Sequence, residues 1–151
     1  MKKIFIFLSI FVTFLIVGCG NQQQSTTEEK APSSEKQLRV GIVLSVGGLG
    51  DKSFNDEAYL GLEKAKKDFG ISFKYESPST PDGDEMFLRE FAEMKYDLVI
   101  ATGSMMQESL EKVAKEFPDT KFAIIDATSS LPNVASLVFA EDEGSFLVGA
   151  L

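Results

Sequence analysis

The chain has no histidine and a single cysteine, Cys19, among its 151 residues. Those absences remove most catalytic machinery at once. Common zinc sites, Ser-His-Asp and Cys-His nucleophile arrangements and disulfides all need residues that are missing. A hydrolase built from carboxylates alone stays formally open. Basic residues are also scarce, with 15 Lys and Arg against 23 Asp and Glu and a formal net charge of −8. Nucleic-acid binding draws on clustered Lys and Arg, so a nucleic-acid partner is not expected.

The first eighteen residues, Met1 to Gly18, read as an export signal: two lysines, an apolar run from Ile4 to Val17, then Gly18 and Cys19 followed directly by polar residues. The apolar run is too short to span a bilayer comfortably. The alternative is an ordinary signal peptide followed by an incidental cysteine. From Cys19 to about Gln37 the chain is mainly Gln, Ser, Thr, Glu, Lys and Pro. That composition cannot bury enough apolar surface to order itself and reads as a tether. Loss of residues 1–18 takes Lys2 and Lys3 away, leaving 13 basic against 23 acidic residues and a formal charge of −10.

Residues 38–151 alternate β-rich runs with helical periodicity, which predicts an α/β domain with a parallel sheet and helices on both faces. Expected strands are Leu38 to Val46, Ile71 to Tyr75, Asp97 to Thr102, Lys121 to Ile125 and Val134 to Phe139. The spacing predicts a helix over Phe54 to Phe69, with Phe54, Ala58, Leu62, Ala65 and Phe69 on one stripe and Gly70 as a left-handed cap. Further helices are expected from Asp84 to Met94, from Ser104 with Gln107 completing a capping box, and from Glu141 to Leu151. Glu141, Asp142 and Glu143 favour that last helix start through its dipole. The last helix meets the end of the sequence without a stop signal, and 38–151 therefore reads as a truncated domain.

Ligands of parallel sheets sit at the carboxyl ends of the strands. The segments Val46 to Asn55, Thr102 to Met106 and Asp126 to Ser130 are therefore the candidate loops. The first carries Gly47-Gly48-Leu49-Gly50-Asp51-Lys52-Ser53-Phe54-Asn55. It is no P-loop, because Asp51 stands where a glycine must precede the lysine, and it lacks the dinucleotide fingerprint, because Ser53 stands in the place of its final glycine or alanine. Ser53 is the expected helix N-cap, with Asp56 at the third helical position. Phe54 offers a face on which a heterocycle can stack, and Asn55 an amide that can both donate and accept. The stripe shared with Ala58 and Leu62 would instead place Phe54 in the core, and Asp126 before Ala127-Thr128-Ser129-Ser130 is equally good turn chemistry.

Two sets of motifs resemble known families. Ile16-Val17-Gly18-Cys19 is similar to a lipobox, which implies lipidation of Cys19 and a cell-membrane location, lipid-anchored on the extracytoplasmic side. A diacylglyceryl group plus an amide-linked acyl chain, at ~0.8 kcal/mol per buried methylene, makes such anchoring effectively permanent. From Arg39 to Leu151 the chain resembles the basic membrane protein or PnrA-like lipoproteins, nucleoside-binding components of ABC importers. The resemblance rests on Val40-Gly41-Ile42-Val43, the Gly48 to Asn55 loop, Val99 to Gly103, Phe122 to Asp126, and Phe139 to Gly149. It implies the first lobe of a type I periplasmic-binding fold, which closes with a second lobe on a purine nucleoside and serves an ABC permease without catalysis or cofactor. By the same resemblance Asp51, Phe54 and Asn55 face the ligand and Asp126 reads the base edge. Gly103-Ser104-Met105 departs from the pattern, since family members often carry an aromatic residue directly after that glycine. Two other readings share the fold: a surface adhesin or interaction lipoprotein, and an ABC sugar-binding lipoprotein.

Overall fold

The computed structural model describes residues 36–150, so the signal segment, most of the tether and Cys19 lie outside the described residues. In chain order the elements are β1 (Arg39–Val43), α1 (Phe54–Phe69), β2 (Ser72–Glu76), α2 (Pro81–Glu93), β3 (Leu98–Thr102), a 3-10 turn (Ser104–Met106), α3 (Gln107–Glu116), β4 (Phe122–Ile125), β5 (Val134–Leu137) and α4 (Glu141–Gly149). The strands form one sheet in the order β2-β1-β3-β4-β5, every neighbouring pair parallel. The expected α/β arrangement is present. Lys36 and Gln37, the last residues of the expected tether, rest on this domain: Lys36 Nζ pairs with Asp97 Oδ1 at 2.5 Å and Gln37 Nε2 donates to the Gly70 carbonyl at 2.9 Å.

Side chains alternate across β1 and feed two separate cores. Val40, Ile42 and Leu44 point to the face covered by Leu62 of α1, with Ala58 and Ala65 packed at its margin. Val43, together with Val99, Ala101, Phe122 and Ile124, faces Leu88, Phe91 and Ala92 of α2 and Leu110, Val113 and Ala114 of α3. Strands buried on both sides read as continuous apolar runs, and β1 does so. Glycine is required at position 41, because a Cβ there would lie 2.6 Å from Cγ of the buried Phe91 ring.

Several local expectations are corrected. The strands β1 and β5 stop short of the expected Val46 and Phe139. α2 starts three residues early because Pro81 occupies its first position, where a missing N–H costs nothing. Phe69, expected on the inner stripe of α1, is 80 % exposed and joins neither core. Ser104 caps no α-helix: Gly103, at φ +94°, turns the chain into the 3-10 turn first, and Gln107 Nε2 instead donates to the Thr128 carbonyl at 2.8 Å. Gly70 does take the left-handed cap at φ +67°, its N–H donating to the Lys66 carbonyl.

Candidate functional site

The chain crosses from β1 to β2 on one side and from β3 to β4 on the other, so the strand order reverses between β1 and β3. At such a switch point the loops leaving the two strands diverge and open a crevice at their carboxyl ends. The loop after β1 and the 3-10 turn after β3 flank that crevice. Thr102 Oγ1 donates to the Val43 carbonyl at 3.0 Å and fixes the two strand ends to each other.

Asp51 organises the first loop. One carboxylate oxygen accepts the N–H of Ser53 at 2.9 Å and of Asp56 at 3.2 Å, and the other accepts the N–H of Asn55 at 2.9 Å. Asp56 reciprocates, taking the N–H groups of Gly50 and Lys52 at 2.8 and 2.9 Å. Ser53 stands at the N-cap position but makes no side-chain cap bond, so the expected role passes to Asp51. Its carboxylate is held below the usual range, chiefly by the Asn55 N–H, against a smaller opposing effect of desolvation.

Phe54 and Asn55 open α1 and point in different directions. Phe54 is half-buried and belongs to neither core. A Cβ built on Gly103 would lie 3.7 Å from Phe54 Cε1 and equally far from Ser45 Cβ, which places the ring across the crevice against the end of β3. Asn55 is buried, 2 % exposed, and its Oδ1 accepts both the backbone N–H of Ser45 at 2.9 Å and the Ser45 hydroxyl at 3.0 Å.

Asp126 follows β4 on the same edge. The Gly103 N–H donates to the Ile125 carbonyl at 2.9 Å, so Asp126 adjoins the residue beside which Phe54 stands. Its backbone is left-handed, φ +62°, a conformation that strains a non-glycine residue and is concentrated at functional sites. Desolvation raises its carboxyl above the ordinary range, and the charge of Glu141 and a hydrogen bond with it add to the rise.

Four candidate residues thus share one edge: Asp51, Phe54 and Asn55 on the β1 loop, and Asp126 across β3. Sequence reasoning missed Ser45, Gly103 as a neighbour of the ring, and Glu141 as a neighbour of Asp126. Only Gly103 carried a signal, as a glycine ending a strand. Among the described residues no group of three or more acidic, His or Cys side chains is placed to hold a metal ion. An open groove of about 1010 Å³ lies at the opposite end of the sheet, lined by Leu38, Val40, Ile71 and Leu98, and includes none of the four.

Comparison with known proteins gives the family. An uncharacterized lipoprotein of Pyrococcus abyssi is 36% identical over 100% of this chain and 38% of its own length. The ABC transporter nucleoside-binding protein BmpA of Lactococcus lactis is 28% identical over 89% of this chain and 39% of its own. The crystal structure of an ABC transporter solute-binding protein from Aeropyrum pernix K1 superposes with a TM-score of 0.70 at 39% identity, covering 74% of this chain and 31% of that one. The chain therefore spans well under half the length of these relatives. Residues 38–151 match the family described as ABC transporter substrate-binding protein, PnrA-like. By that match over most of its length, the chain belongs to the PnrA-like family of ABC transporter substrate-binding proteins, a family of binding proteins and not of enzymes.

Proposed function

We propose that this chain is the first lobe of a lipoprotein that binds a purine nucleoside between two lobes and delivers it to an ABC permease. The carrying observation is the Phe54 ring, half-buried outside both cores and beside Gly103 at the switch point. A planar base stacked there gains roughly 1 to 3 kcal/mol. Asn55 and Asp126 lie on the same sheet edge as the ring and carry an amide and a carboxyl, polar groups suited to the edge of a heterocycle. The named nucleoside-binding relative in Lactococcus lactis supports the same ligand class. Asp51 serves this site by building the loop that holds Phe54 and Asn55.

Lipidation at Cys19 would tether the domain on the extracytoplasmic side of the cell membrane, within reach of its permease. The test is a thermal-shift screen of the protein at the full length of its relatives, against purine nucleosides, sugars and amino acids. Purine nucleosides alone should raise the melting temperature. Stabilisation by a sugar or an amino acid and not by any nucleoside contradicts the reading.

A further inference from the structure

We propose that the amino edge of the sheet, the end opposite the crevice, is a membrane-facing surface that lies on anionic phospholipid headgroups and turns the crevice away from the bilayer. This rests on the lipid-anchored reading of Cys19 and is independent of what the crevice binds. The first observation is the distribution of charge. The chain is acidic as a whole, with a formal net charge of −8. Its acids gather at the carboxyl edge, where Asp56 lies in the first turn of α1, Asp82 in that of α2, Glu108 in that of α3 and Glu141 in that of α4. Lys52 is the one cation on the loops that leave the five strands.

The amino edge carries the opposite sign. Lys66 and Lys67 close α1, Lys95 follows α2, Lys115 closes α3 and Lys121 precedes β4, and all five are exposed. Of the acids there, Asp97, Asp68 and Glu116 are matched by Lys36, Lys64 and Arg89. Lys67, Lys95, Lys115 and Lys121 make no ion pair with another described residue. Acids at helix starts and lysines at helix ends suit the helix dipoles, which accounts for the charges alone. It does not account for the apolar side chains among the lysines.

Phe69 is 80 %, Leu38 55 % and Met94 45 % exposed. The segment that enters β1 draws these three to one corner. Gln37 Nε2 donates to the carbonyl of Gly70, next to Phe69, at 2.9 Å, and Arg39 Nη1 donates to that of Met94 at 3.1 Å. Large apolar groups rimmed by lysines suit a bilayer interface, where the apolar groups enter the headgroup boundary and the ammonium groups meet phosphate. The chain from Cys19 arrives at this same corner. Fully extended, the stretch from Cys19 to Lys36 reaches ~60 Å, several times the ~13 Å radius of gyration of a domain this size, so it does not orient the domain by itself. Within a Debye length of about 10 Å, an anionic surface attracts the lysine edge and repels the acidic one, and both effects turn the domain the same way.

The test is vesicle flotation of the protein without its lipid, from Cys19 onward and at the full length of its relatives, with phosphatidylglycerol or phosphatidylcholine vesicles. The parent should bind phosphatidylglycerol at low salt, lose that binding as salt rises, and ignore phosphatidylcholine. Lys67→Glu and Lys52→Glu change the net charge equally on opposite edges. The first should weaken partition about fivefold or more and the second should not, with circular dichroism unchanged in both. Phe69→Ser should weaken it too. No binding by the folded parent, equal loss in the two charge variants, or equal binding to phosphatidylcholine overturns the proposal. Uptake of labelled palmitate at Cys19 in cells tells the two failures apart: without label the anchor fails and the proposal with it, whereas label without vesicle binding means that the surface alone fails.

Discussion

The Phe54 ring stands beside Gly103: a single carbon added at position 103 would come into van der Waals contact with Cε1 of the ring, at 3.7 Å. The first residue of α1 thus neighbours the end of β3 across the point where the strand order reverses. It keeps an aromatic face at the rim of the sheet, outside both hydrophobic cores.

Gly103 has φ +94°, where any L side chain is strained. Gly103→Val should cost about 1 to 3 kcal/mol in urea unfolding and displace the ring it would press on. Nucleoside affinity should fall more than stability alone explains. A variant as stable as the parent, with Phe54 in place by crystallography, would show that the contact is incidental.

The start of α1 should depend on Asp51 more than on Ser53. Asp51→Ala removes acceptors for three backbone N–H groups, whereas Ser53→Ala removes a hydroxyl that caps nothing. Thermal unfolding should shift down by several degrees for the first and hardly at all for the second. Equal shifts would return the cap to Ser53. Asp51 also carries a pH signature: the backbone N–H of Asn55 holds its carboxyl below the ordinary aspartate range, so its contribution is complete above that range and is lost as pH falls through the lower folded value.

Asp84 behaves in the opposite sense. It is buried on the inward face of α2, 4 % exposed, with Oδ1 lacking any hydrogen-bond partner, and desolvation raises its carboxyl above 3.8. A group held above its unfolded value stabilises the fold only while protonated, and that contribution is lost as pH rises through the folded value. Asp84→Leu should therefore stabilise the domain at neutral pH by about 1 to 3 kcal/mol, and the advantage should shrink as pH falls through the raised folded value of Asp84 towards the ordinary aspartate range. An advantage independent of pH would mean that Asp84 does not titrate with folding.

The fold was legible because the central strands β1, β3 and β4 read as nearly continuous apolar runs and α1, α2 and α3 each show a helical period. Phe54 to Phe69 and its Gly70 cap match the residues seen. Local capping was read less well. Ser53 and Ser104 are good cap residues in isolation, but Asp51, two residues upstream, and the left-handed Gly103 decide the geometry through tertiary placement. For the site, loop positions after strands pointed to residues that the fold gathers on one edge, while the periodicity of α1 argued for Phe54 in the core. Periodicity cannot tell that the first turn of α1 overhangs the sheet. The Ser45–Asn55 pair leaves no trace in sequence, since no spacing rule links a strand end to the second residue of the next helix. α4 is the part least explained by its own residues: its Phe146, Leu147 and Val148 are 74%, 66% and 75% exposed.

The most direct test of the account is calorimetric titration of a purine nucleoside into the protein at the full length of its relatives, and into its Phe54→Ala and Asp126→Ala variants. The account predicts saturable binding by the parent and a loss of about tenfold or more in each variant. Affinity unchanged in both variants would contradict it.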